Sequence, residues 1–267
     1  MQLTSLNDIT KNYRHIFLSP HFDDVVYSCG GTLSVQVSSG LRPLVITVFG
    51  GTPSADQNLT PLATQVIREM GYDNAVRLAE TRRKEDQAAL DLLQVDYLWL
   101  EYQECIYRGS NYTTKEQFMG GEVNPADAQI EHDLTRALLK IQEALPDVAW
   151  YAPLGAGRHV DHQIVCSAAD HLARSGSKVY FYEDFPYVYR EPTALDKRIQ
   201  ELGGDYETAL VEVSEMLPLK IEAADIYQSQ INNNFANKEA MHKAIEGYAQ
   251  NIRPVSTIRL ERYWTTR

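Results

Sequence analysis

The chain has 267 residues, 44% of them hydrophobic, which is enough to bury one large core and argues against disorder. Thirty-six acids against 25 lysines and arginines give a formal charge of -11, so the basic surface needed by nucleic acid or an anionic membrane is missing. The cysteines, at 29, 105 and 166, are odd in number and widely spaced, which excludes a disulfide framework and a cysteine zinc ribbon and leaves His and carboxylate for any metal.

The N-terminal MQLTSLNDITKNYRH has neither a basic n-region nor an apolar h-region, and no run approaches the ~20 apolar residues of a membrane span. A cytoplasmic protein is the expectation. Residues 15–19 (HIFLS) and 44–49 (LVITVF) read as strands, with a glycine-containing helical stretch between them. A long charged helix follows over about 73–94, then a strand at 96–100. The segment 103–123, long and rich in Tyr, Gly and Asn, reads as a binding loop. A helix over about 125–145, a strand at 148–153, a helix near 162–175 and a strand at 178–183 complete a core of about 14–190. Beyond it, 190–205 is polar and turn-rich, 219–252 looks helical, and TIRLERYWTT alternates like an edge strand. Strands alternating with helices predict a single α/β domain over 1–267. Its core would be a doubly wound, Rossmann-like, mostly parallel sheet with helices on both faces, carrying a C-terminal helical and edge-strand extension.

Ligands of such sheets bind beyond the carboxyl ends of the strands, and two segments there carry chemistry. Ser19-Pro20-His21-Phe22-Asp23-Asp24 follows the first strand, before the small-residue run Ser28-Cys29-Gly30-Gly31. Gly155-Ala156-Gly157-Arg158-His159-Val160-Asp161-His162 follows the strand at 148–153. Each alone is the ordinary setting of a helix cap. Together they offer two imidazoles and a carboxylate, a set that suits zinc and leaves a fourth position open, as in catalytic sites.

With HFDD and HVDH in these places, the chain resembles the LmbE-like or PIG-L-like deacetylases, which remove the acetyl group from N-acetylglucosamine-type amides and carry a His-Pro-Asp-Asp and a His-x-Asp-His segment. The similarity in element order covers about 14–190. It implies zinc, or another divalent metal, on His21, Asp24 and His162, with Asp23 as general base and His159 beside the scissile carbonyl with Asp161 behind it. Phe22 replaces the proline and Val25 a frequent acid, neither of them a ligand. Family members acting on sugar-thiol precursors carry a Tyr where this chain has Gly157, so carbonyl polarisation by that Tyr is not carried over. The resemblance also places Arg82 of the long helix, and Glu104 and Arg108 after the strand at 96–100, near the substrate.

The chemistry follows from the residue types. Zinc makes water acidic enough for a nearby carboxylate to take its proton, and two acids allow Asp24 to ligate while Asp23 acts as base. A protonated His159, its ring fixed by Asp161, would stabilise the developing oxyanion, and either Asp23 or His159 could protonate the leaving amine. Glu183 and Asp184 are read as caps of the next element. His15, His132, His171 and His242 lack acid partners at useful spacing and are read as ordinary histidines, Cys29 and Cys166 as packing residues. The expected activity is hydrolysis of an acetamido sugar, glycoside or related N-acyl amine, a small-molecule substrate, releasing acetate. The alternatives are a metal-dependent phosphoesterase, which usually needs ligands for two metals, and a non-catalytic carbohydrate- or metal-binding protein, which has no use for Asp23. Oligomeric state is not legible, a homo-oligomer being one option.

Overall fold

The computed structural model describes residues 1–254 and 257–266. In chain order it contains β1 (His15–Ser19), α1 (Asp24–Ser38), β2 (Pro43–Thr47), α2 (Pro61–Glu69), α3 (Ala75–Leu92), β3 (Asp96–Trp99), α4 (Lys115–Phe118), α5 (Ala128–Ala144), β4 (Ala149–Pro153), α6 (Val160–Arg174) and β5 (Lys178–Tyr182). Then come α7 (Tyr187–Arg190), α8 (Ala194–Leu202), β6 (Tyr206–Glu212), α9 (Leu217–Ala224), α10 (Gln228–Asn234), α11 (Lys238–Asn251) and β7 (Leu260–Thr266). The sheet order is β3-β2-β1-β4-β5-β7-β6. The first five strands in that order run parallel, while β7 pairs antiparallel with both β5 and β6.

Strands β2 and β4 are buried at every position, because helices cover both faces of the parallel part and the residues read as unbroken apolar runs. Helix α3 begins where the Asn74 side chain accepts the Arg77 amide at 3.1 Å, and it continues through Ala, Leu, Glu, Lys and Arg, which favour helix. After β1 the chain winds outward through β2 and β3, then returns to place β4 on the other side of β1. That reversal opens a crevice at the carboxyl ends of β1 and β4, where both motif segments begin.

The last third differs from the sequence reading in its strands and at 190–205, where helix α8 occupies a stretch read as turn-rich. TIRLERYWTT does supply a strand, but β7 lies inside the sheet; the edge is β6, which the sequence reading missed because YETALVE, exposed or half-buried throughout, carries no clean apolar alternation. The extension is keyed into α1. Glu261 accepts the amides of Gly31 at 2.9 Å and Thr32 at 2.7 Å and pairs with Lys220 at 2.7 Å. A Cβ on Gly31 would stand 2.7 Å from Val213, so only glycine permits this approach. Six tyrosines (27, 97, 112, 182, 227 and 263) are among the fully buried side chains. Among the described residues no helix is long and apolar enough to cross a membrane.

Candidate active site

Two tight turns deliver the candidate residues. After β1, the Ser19 hydroxyl donates to the His21 carbonyl at 2.6 Å and accepts the Val25 amide at 3.2 Å, closing the loop onto α1. Asp23 sits in this turn at φ 91°, a conformation that costs a non-glycine residue about 1–3 kcal/mol and persists only where its surroundings impose it. Although it occupies the N-cap position of α1, its side chain makes no capping bond. The structural role that could explain an acid here is therefore missing, and the carboxylate lines a cavity instead. After β4, Gly155, Gly157 and Arg158 all take positive φ. His159 caps α6, its Nδ1 accepting the Asp161 amide at 3.2 Å. That bond leaves the ring proton on Nε2.

The turns bring His21, Asp24 and His162 together. Asp24 Oδ2 lies 3.2 Å from His21 Nδ1 and 3.2 Å from His162 Nε2. Ligand atoms of a tetrahedral zinc with bonds of about 2.0–2.1 Å are about 3.3 Å apart, so the spacing fits. The outward nitrogens are on carboxylates: His21 Nε2 on Asp161 at 2.9 Å and His162 Nδ1 on Asp184 at 2.7 Å. Such partners orient ligating imidazoles and raise their basicity. His162 Nε2 is buried and without a hydrogen-bond partner, as a metal-facing nitrogen would be. His21, His159 and His162 also offer nitrogens within 4.8 Å of one another, and Cys105, His159 and Asp161 form an overlapping group.

Burial opposes charge on His21 and His162, yet the bonds to Asp161, Asp24 and Asp184 outweigh it and raise the rings to about 10 and about 9. Asp24 and Asp161 are buried too, and their cationic partners hold both carboxyls well below the usual range. A divalent cation would take the place of the protons gathered here, since ligands must be deprotonated to bind metal. Asp23 goes the other way, raised by burial and by Asp24 against the opposing pull of Arg82. Burial and the neighbouring His21 push His159 well below its ordinary value. Both effects favour a neutral ring with its proton on Nε2, whereas the sequence led to the expectation of a protonated one.

A cavity of about 170 Å³ opens on this centre, with His21, Asp23, Asp24 and His159 in its wall. Arg82 and Glu104 line it, paired with each other, and an Arg82 Nη lies 3.6 Å from Asp23. Arg108 does not line it. Its guanidinium is committed to Asp127 at 2.9 Å, Asp161 at 2.7 Å and the Gln103 carbonyl at 2.9 Å, so it fixes Asp161 from behind. The Asp161 carboxylate in turn serves His21, not the His159 ring, because α6 directs the side chain of its second residue across to the other turn. Asp184 is no helix cap; it holds His162 and the Ala156 amide. Glu183 meets Trp264 at 2.9 Å and Arg262 at 2.5 Å in the extension. His242, read as partnerless, pairs with Asp225 at 2.7 Å.

A family model described as PIG-L, GlcNAc-PI de-N-acetylase, matches residues 16–173, more than half of the chain. The chain belongs to the PIG-L family. This PIG-L protein is 33% identical over 245 residues to the 2'-N-acetylparomamine deacetylase of Niallia circulans, covering 84% of this chain and 88% of the relative. It is 27% identical over 241 residues to the 2'-N-acetylparomamine deacetylase of Streptomyces fradiae, covering 89% and 81%. Its fold matches the zinc-inhibited form of teicoplanin deacetylase Orf2 with a TM-score of 0.77 at 23% identity, over 94% of this chain and 97% of that one. Family and donor set together make it a metal-dependent amidohydrolase of the deacetylase kind.

Set against the PIG-L match, the cavity has two origins. The metal centre, Asp23, Arg82, Glu104 and His159 fall within 16–173, whereas Tyr187, Arg190, Gln230, Asn233 and Asn234 come from beyond it. Sequence reasoning missed all five of these. Tyr187 explains Gly157: a Cβ at 157 would stand 2.6 Å from Tyr187 Cβ, so the tyrosine occupies the space a side chain there would need. Its ring meets His162 edge-on at 5.4 Å, and burial, then Asp24, pushes its phenol well above the usual range, keeping it a donor.

Proposed function

We propose that this PIG-L protein hydrolyses the N-acetyl group of an acetamido sugar or its glycoside, with His21, Asp24 and His162 as zinc ligands and Asp23 as general base. One observation carries this reading: a single Asp24 oxygen lies 3.2 Å from two imidazole nitrogens whose opposite nitrogens both rest on carboxylates. His159 is the weaker ligand candidate, since its Nδ1 caps α6 and its Nε2 faces Cys105 Sγ at 3.9 Å. The Cys105 group makes no second centre for phosphate chemistry, because it shares His159 and the Asp161 oxygens are committed to His21 and Arg108.

Zinc in this position supplies Lewis acidity, polarising an amide carbonyl and making water acidic near neutral pH. Asp23, released from capping and aimed into the cavity, takes the proton of the attacking water. Arg82, against Asp23 and Glu104, keeps that carboxylate in place. The Nε2–H of His159 donates to the carbonyl oxygen as charge develops on it, and the phenol of Tyr187 is a second donor on the same cavity. With its raised proton affinity, Asp23 then returns the proton to the departing amine. The two curated relatives act on 2'-N-acetylparomamine, which supports an amino-sugar glycoside as substrate here. An amine-release assay with zinc-loaded protein over a panel of N-acetylglucosaminides tests this, and silence across the panel with metal stoichiometrically bound would sink it.

A further inference from the structure

The cavity of about 170 Å³ is smaller than the ~300–1,000 Å³ of pockets that enclose drug-sized ligands, so it has room for little beyond the reacting ring. Of its walls, the one from α10 stands out chemically, presenting the carboxamides Gln230, Asn233 and Asn234 on one short helix. A carboxamide offers both donor and acceptor, the pairing that neighbouring hydroxyls ask for.

The orientation of two of these amides follows from their neighbours. Glu85 accepts both the amide of Ser229, at 2.8 Å, and its hydroxyl, at 2.5 Å. The Ser229 oxygen in turn accepts from Gln230 Nε2 at 3.1 Å. The other contact of that nitrogen is Met70 Sδ at 3.9 Å, a weak acceptor. Gln230 is only 3% exposed and lines the cavity, and among the described residues its Oε1 accepts no bond, so this wall carries an unpartnered acceptor. Asn234 Oδ1 accepts from Arg190 at 3.2 Å, which leaves its Nδ2 to donate. An acceptor and a donor are thus fixed side by side, on a segment outside the family-wide region.

We propose that α10 is the hydroxyl-reading subsite of this enzyme, with Gln230 Oε1 and Asn234 Nδ2 binding hydroxyls of the ring that carries the acetamido group. The assignment rests on the amino-sugar reading above, but its test does not require turnover. Calorimetry with zinc-loaded protein compares glucosamine with cyclohexylamine, an amine of similar ring size without hydroxyls. Gln230→Leu is expected to weaken glucosamine binding about tenfold and leave cyclohexylamine unchanged, the effect of losing one hydrogen bond. Equal weakening of both amines, unaltered glucosamine binding in Gln230→Leu, or no glucosamine binding by the parent protein would each overturn the proposal. Amine release from N-acetylglucosaminides by the same parent protein reports separately on the deacetylase reading.

Discussion

The two walls of the cavity are built on opposite principles. On the side of β1 and β4, charged groups are buried in fixed pairs: Asp24 with two imidazoles, Asp161 with His21 and Arg108, Asp184 with His162. On the side of α7 and α10 the groups are carboxamides and a phenol, with one guanidinium, Arg190, bonded to Asn234, all carried by short helices of four and seven residues. Charge buried in a protein must be paired and held, which demands the rigid ends of a parallel sheet. Selecting a ring needs only well-aimed neutral hydrogen bonds, which an added helix can supply and later change. The contrast separates the chemistry of the site from its choice of substrate.

The sharpest way to break this division is at Asp23. Asp23→Asn should lower kcat by about a hundredfold to ten-thousandfold while zinc content, measured by elemental analysis, stays at the parent value; unchanged turnover would remove the base from the sheet-side wall. The joint between the walls is Asp86, which accepts from Tyr227 at 2.8 Å and Trp99 at 2.7 Å and is raised by burial from 3.8 to about 6. Because the folded chain holds this proton more tightly than the unfolded one, the group's contribution to stability is complete below pH 3.8 and lost as pH rises through about 6. Denaturant unfolding across that window should show Asp86→Asn gaining about 3 kcal/mol relative to the parent as pH rises. Asp184→Asn should weaken zinc about 10- to 100-fold in competition with a chelator, with ring selectivity unaffected. Gly157→Ala, forced against Tyr187 and into positive φ, should cost about 1–3 kcal/mol in thermal unfolding.

The sheet-side wall could be read from sequence for a physical reason. His21, Asp23 and Asp24 follow an apolar run directly, so strand periodicity alone places them at a strand end. Glu104 was legible by the same rule after β3. Asp161 was placed in the site but given the wrong partner, since proximity in sequence favours His159 while α6 turns its side chain toward His21. Asp184 carried the strand-end signal and was discounted as a cap. Arg108 looked like a cavity residue because nothing in its own segment announces Asp127 and Asp161. Tyr187 and Gln230 had no local signal, because their place depends on how the extension docks through Glu261, Ser229 and Tyr227. Contacts of that kind are set by tertiary packing, which leaves no period in the chain.

The approach of Tyr187 to Gly157 also binds the histories of the two walls together. A Cβ at 157 would stand 2.6 Å from Tyr187 Cβ and 2.7 Å from the first ring carbon, so position 157 cannot gain a side chain while α7 keeps its place. Adding bulk at 157 requires α7 to shift, because the nearest clash is with Tyr187 Cβ, which other side chains at 187 would share. The extension therefore meets the core at two glycines, Gly31 against Val213 and Gly157 against Tyr187, and these contacts bound what it can become.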